Sequence, residues 1–101
     1  MVQTLIWSRE ALDDVDSIAE YISRDSLYHA QLVAERLFEL GESLREYPKI
    51  GRIVPELGDP QVRECFLYSY RLIYELKDEE IHILAVIHGK RLLESVERFS
   101  P

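Results

Sequence analysis

The spacing of apolar residues changes once along this chain, and that change limits what it can fold into. Ala11, Val15, Ile18 and Ile22 recur at intervals of four, three and four, and Ala30, Val33, Ala34, Leu37, Leu40, Gly41 and Leu44 form a second such stripe. From Tyr70 the period drops to two. Tyr70, Leu72, Tyr74 and Leu76 share one side, and Arg71, Ile73, Glu75 and Lys77 share the other. The first period belongs to an amphipathic helix and the second to a pleated strand. Two helices followed by a sheet are therefore predicted.

The boundaries follow from local chemistry. Val2 to Trp7 reads as a first strand, rich in apolar and β-branched residues. Ser8 offers a helix N-cap, and Glu10 suits the positive end of the helix dipole. Leu12 and Ala19 lie beside the first stripe, with Asp13, Asp14, Asp16 and Glu20 turned away. Ser23 to Ser26 breaks the pattern, and Tyr47-Pro48 ends the second helix. So short a break predicts an antiparallel hairpin of helices. Leu32 and Phe38 fall off its main stripe, either as surface hydrophobes or as part of a groove that receives a partner helix.

Lys49 to Pro60 carries two Gly and two Pro and reads as an irregular loop. Strands are predicted at Val62–Leu67, Tyr70–Lys77 and Ile81–His88, joined through Tyr68-Ser69 and Asp78-Glu79-Glu80 as an antiparallel meander. The last run is apolar on both faces, as a central strand would be. A terminal helix over Arg91–Phe99 would turn Leu92, Val96 and Phe99 inward. The expectation is one α+β domain over residues 1–101. Its small antiparallel sheet combines the N-terminal strand with the three-strand meander, and the helical hairpin packs on one face.

Composition removes several function classes. A net charge of −7 opposes broad contact with nucleic acid, which needs a concentrated positive face. The acid is concentrated in the first half, with ten acidic residues against four basic ones up to Tyr47. Between Pro48 and Tyr74 the balance is slightly basic, with Lys49, Arg52, Arg63 and Arg71 against Glu56, Asp59 and Glu64. Cys65 is the single cysteine, and His29, His82 and His88 are scattered, so no metal-ligand spacing arises and no cofactor is implied. In an apolar strand Cys65 reads as a small buried hydrophobe rather than a reactive thiol. The N-terminus lacks a signal-peptide pattern and no apolar run reaches membrane-spanning length, so a cytoplasmic protein is expected.

Three basic-aromatic patches remain: Gly51-Arg52, Tyr70-Arg71-Leu72-Ile73-Tyr74 and His88-Gly89-Lys90-Arg91. Arg71 interrupts an apolar alternation, and a polar group there needs a partner in the fold or in a ligand. Pairing of Arg71 with a carboxylate such as Glu64 stands equal to a functional contact. His88 and Arg91 have structural readings too: a hydrogen bond to a carbonyl for the first, a pair with Glu64 or Glu94 for the second.

These patches, read with the strand ending in Trp7-Ser8, the acidic first helix, the second helix stopping at Tyr47-Pro48, and Arg63-Glu64, resemble the ParE/RelE toxin superfamily. Its members are toxins of bacterial type II toxin–antitoxin modules, often labelled plasmid stabilisation proteins. The resemblance runs from about Leu5 to Leu93. It implies a small α+β fold, a cognate antitoxin, and one of two activities. ParE-type members poison DNA gyrase without chemistry of their own. RelE-type members cleave messenger RNA on the ribosome.

The ribonuclease would need groups to offset phosphate charge and to move a proton. Arg71 and Arg91 are the candidates for the first task and His88 for the second. Against it, the second helix is acidic where the RelE pattern is basic. The only aromatic after Arg91 is Phe99, which carries no transferable proton. The gyrase reading is therefore preferred, with Leu32, Phe38, Arg52, Arg63 and Arg71 expected at an antitoxin or target interface. Substituting Arg71 by glutamate is expected to weaken antitoxin binding, and direct sequence-specific contact with nucleic acid is not expected. A module that binds antitoxin but harms nothing is a third reading.

Overall fold

The computed structural model describes residues 3–91 and 97–99. The chain runs β1 (Thr4–Trp7), α1 (Arg9–Ser23), α2 (Leu27–Ser43), β2 (Arg52–Ile53), β3 (Val62–Leu67), β4 (Tyr70–Lys77) and β5 (Glu80–His88), with a 3-10 turn at Glu97–Phe99. The five strands form one sheet in the order β1-β5-β4-β3-β2. The meander is antiparallel as expected, but β1 joins β5 in parallel, Thr4 opposite Glu80 and Trp7 opposite Ile83. The parallel direction is forced by topology. β1 leads into the helices, and the chain re-enters the sheet from the far edge.

Ser8 caps α1 as its sequence position requires. Its Oγ accepts from the Ala11 amide at 3.0 Å and donates to the Leu84 carbonyl at 3.3 Å. The second contact falls where the β4–β5 register shifts between Ile73 and Tyr74, leaving Leu84 as an extra residue on β5. Ser8→Ala is expected to cost about 0.5–2 kcal/mol in urea denaturation, since it removes a cap and a tether to the bulge together.

The helical hairpin covers one face of the sheet. Ala11, Val15, Leu37 and Leu44 pack there against Leu72, Tyr74, Ile81, Ile83 and Val86. Trp7 lies over Gly41 so closely that a Cβ at Gly41 would sit 2.7 Å from Trp7 Cζ2. The opposite face is covered as well. Val54, Val62, Ile73, Ala85 and Ile87 form a second cluster, with Phe99 packed against it. Phe99 thus turns inward as expected, while Leu92 and Val96 lie outside the described residues.

The segment read as an irregular loop contains the short edge strand β2, paired with Arg63 and Glu64 of β3. Two residues give no alternation to detect. The β4–β5 connection uses only Asp78 and Glu79, both at positive φ (52° and 62°), as a tight two-residue hairpin requires. Among the described residues, no helix is long and apolar enough to cross a membrane.

Candidate functional site

The strand alternation decides where each candidate residue stands. Tyr70 packs on the helical side, and His88 lies directly across from it in register. Arg71 is the next residue, opposite Ile87, and both belong to the other face. Arg71 and His88 are therefore separated by the sheet. Arg91 joins His88 in a cleft of about 490 Å³ between α1 and the end of the sheet, lined also by Asp14, Ser17, Ile18, Tyr21, Ser69 and Tyr70.

Arg71 is only 4% exposed and is fully engaged. Its Nε donates to Glu64 Oε1 at 2.7 Å, and its two terminal nitrogens donate to Glu56 Oε2 and Oε1 at 2.8 and 3.0 Å. Glu64 is itself buried, and its Oε2 accepts from Arg52 Nε at 2.6 Å. Arg52 spreads its guanidinium over the Phe66 ring, 5.2 Å from the centroid. The result is a four-residue cluster, Arg52–Glu64–Arg71–Glu56, with no net charge. The hydrogen bonds from Arg71 hold the Glu56 carboxyl below its ordinary range, and the Glu56 contact in turn raises Arg71 further.

Glu56 was not singled out by sequence. It sits in a loop without periodicity, and only its fold-level position beside Arg71 reveals its role. Because its pKa is lowered on folding, its contribution to stability is present above the usual carboxylate range. That contribution disappears as pH falls through the lowered value.

The remaining candidates are more scattered. Arg63 is half-buried and binds the loop before β2, donating from Nη1 to the carbonyls of Lys49 and Gly51 at 3.3 and 2.9 Å. Phe38 is 41% exposed with its ring against Trp7, centroids 4.9 Å apart, and Leu32 is half-buried on α2. These two do not join the arginine cluster. His88 is exposed; its Nδ1 accepts from the Lys90 amide at 3.2 Å, which places the neutral ring's proton on Nε2. The structural expectation of a carbonyl partner is thus replaced by an amide donor. Arg91 is exposed, and Glu64, offered as its partner, is occupied by Arg71 and Arg52; Glu94 lies outside the described residues.

Tyr74 supports this whole region from below. Fully buried, its hydroxyl donates to the Pro48 carbonyl at 2.7 Å and accepts from the Gly51 amide at 3.0 Å. Burial pushes its pKa up to about 12. A raised folded value means stability is full below the unfolded pKa of about 10 and is lost as pH rises toward the folded one. The urea midpoint is expected to fall between pH 10 and pH 12, and Tyr74→Phe to flatten that fall. Burial likewise raises the Cys65 thiol, with the Glu64 charge adding to it, so the thiolate is disfavoured. Among the described residues, no three His, Cys, Asp or Glu side chains converge to hold a metal.

The comparisons with known proteins agree with this architecture. Toxin RelE2 of Caulobacter vibrioides is 35% identical over 89 residues, which span 87% of this chain and 97% of the relative. The fold is similar to that in the chromosomal ParDE system from P. aeruginosa, with a TM-score of 0.74 at 24% identity over 88% of this chain and 98% of that one. It is also similar to a double mutant of E. coli toxin RelE in the free state, with a TM-score of 0.68 at 22% identity over 99% and 93%. The RelBE2 toxin–antitoxin complex from Mycobacterium tuberculosis gives a TM-score of 0.58 at 21% identity over 87% and 99%. A family model described as the ParE toxin of the type II toxin–antitoxin system, parDE, matches residues 5–93. With that match spanning most of its length, the chain belongs to the ParE toxin family of type II toxin–antitoxin systems.

Proposed function

We propose that this toxin acts in the cytoplasm on DNA gyrase, without chemistry of its own, and is neutralised by a cognate antitoxin. The observation that supports this most is the separation of the would-be ribonuclease trio. Arg71 lies on one face between two carboxylates, whereas His88 and Arg91 line a cleft on the other. A phosphate at His88 would find no help from Arg71. A poison that works by binding needs no such assembly, and an acidic surface does not oppose a protein target.

A ribosome-dependent ribonuclease is the second reading, favoured by the 35% identity to a relative named RelE2. In that case His88 and Arg91 act in their cleft without Arg71, with His88 Nε2 as the proton-carrying atom. Partner proteins are expected at the exposed Phe38 with Leu32, and at Arg52.

Two assays on the antitoxin-free protein separate the readings. Gyrase supercoiling is followed with detection of trapped, cleaved DNA, and messenger RNA is followed on translating ribosomes. Trapped DNA with intact message is the expected result. Message cleavage that disappears in His88→Ala would replace the gyrase reading with the ribonuclease. Silence in both would leave a module that binds antitoxin without toxicity.

A further inference from the structure

We propose that Arg71 and Arg52 form a seat for a carboxylate, that the chain fills this seat with its own Glu56, and that an acidic side chain of a partner protein takes Glu56's place on binding. The inference rests on the reading of the chain as a protein bound by another protein, and it is independent of which target is poisoned.

The seat is built from the inside outward. Glu64, 1% exposed, holds both arginines by their Nε atoms, one on each carboxylate oxygen, at 2.7 and 2.6 Å. Glu64 Oε1 also lies 2.6 Å from Arg71 Nη2, which fixes the guanidinium so that its two terminal nitrogens face outward as a fork, Nη2 shared with Glu64. A fork of this kind matches the two oxygens of a carboxylate. Glu56 meets it with both oxygens, yet Glu56 belongs to an exposed loop, and its side chain keeps 30% of its surface in solvent. The loop is rooted by Val54 and Val62 in the second core, so Glu56 can leave without dismantling the cluster beneath it. The exchange also conserves charge. Without Glu56, two arginines face one glutamate, and the excess positive charge calls for an anion.

The surroundings indicate what kind of anion. Phe66, 52% exposed, lies against the Arg52 guanidinium, and Leu57, next to Glu56 in the chain, is 38% exposed, apolar surface suited to a protein segment. A nucleic-acid backbone would meet those apolar side chains and a chain of net charge −7. The acidic partner residue is thus expected to be flanked by apolar ones.

The test uses the side-chain Nε–H resonances of Arg52 and Arg71, followed by NMR in the full chain at fixed ionic strength. Sodium acetate and sodium phosphate are titrated separately into wild type and Glu56→Ala. Acetate should shift both resonances saturably in the variant, with an apparent dissociation constant about tenfold or more below wild type. Absence of a saturable shift in the folded variant would overturn the seat, and equal shifts in wild type would overturn occupation by Glu56. A response to phosphate with none to acetate would replace the protein carboxylate by a nucleic-acid backbone. Glu56→Gln keeps the side chain's shape and carries the same test should the alanine variant not fold. Because the readout is anion binding, its failure is distinct from failure to inhibit gyrase.

Discussion

Arg71→Ala is expected to lower folding stability by about 3–5 kcal/mol, because it removes one partner of a buried ion pair and strands the other. Glu64, with a side chain that has no exposed surface, would keep only Arg52, whose own side chain is 60% exposed. Glu56 would lose both hydrogen bonds that tie its loop to the sheet. Set against a total of roughly 5–15 kcal/mol for a domain of this size, the variant would be near unfolding at body temperature. Urea denaturation followed by circular dichroism measures the loss directly. A change under about 1 kcal/mol would mean that solvent reaches Glu64 far more readily than its burial implies. The result also bears on interpretation, since a toxicity defect in this variant would report loss of folding before any loss of a contact. The sequence-based expectation that Arg71→Glu weakens antitoxin binding meets the same difficulty: the substitution would place a third carboxylate beside Glu56 and Glu64.

Gly51→Ala is expected to destabilise by about 1–3 kcal/mol through overpacking. A Cβ there would lie 2.7 Å from the Glu64 carbonyl oxygen and 2.7 Å from the Tyr74 hydroxyl. Neither neighbour can yield easily. The first is backbone of the strand that carries the arginine cluster, and the second is a fully buried ring already bonded to Pro48 and Gly51. Relief would have to come from the loop at Pro48–Gly51, and with it from the Arg63 contacts to Lys49 and Gly51. Thermal melts of Gly51→Ala and Tyr74→Phe should both be lowered, and the double variant should lose less than the sum because both act on one contact. Full additivity would show that the loop moves without involving Tyr74.

Much of this was legible in the residues. The helix stripes and the three-strand meander follow from spacing and Ser8 as N-cap from its position, while the run to His88, apolar on both faces, was expected to be central and lies between β1 and β4. The parallel pairing of β1 was not legible, because pairing direction depends on where distant segments meet. The two-residue β2 was invisible for want of length. At the candidate site, Arg71 was recognisable as a charge in an apolar alternation, and Glu64 as one carboxylate able to satisfy it. Glu56 was not, since nothing in a loop's composition says which of its residues folds back. The separation of Arg71 from His88 was not legible in alternation alone, because the extra residue Leu84 on β5 shifts the register that sets His88 opposite Tyr70.

The pairing of Thr4–Trp7 with Glu80–Ile83 also governs when this protein can exist during synthesis. The first strand is made before both helices and β2 to β4, and acquires its neighbour only once β5 has followed. Until then α1 and α2 can form a local hairpin, but they have no sheet to cover, and their apolar stripes remain wet. Closing so long a loop is an entropic cost met late, so the contacts between β1 and β5 are expected to form last. A ribosome stalled before Ile83 would hold a hairpin with an unpaired strand, so the folded toxin should arise only after β5 has been translated.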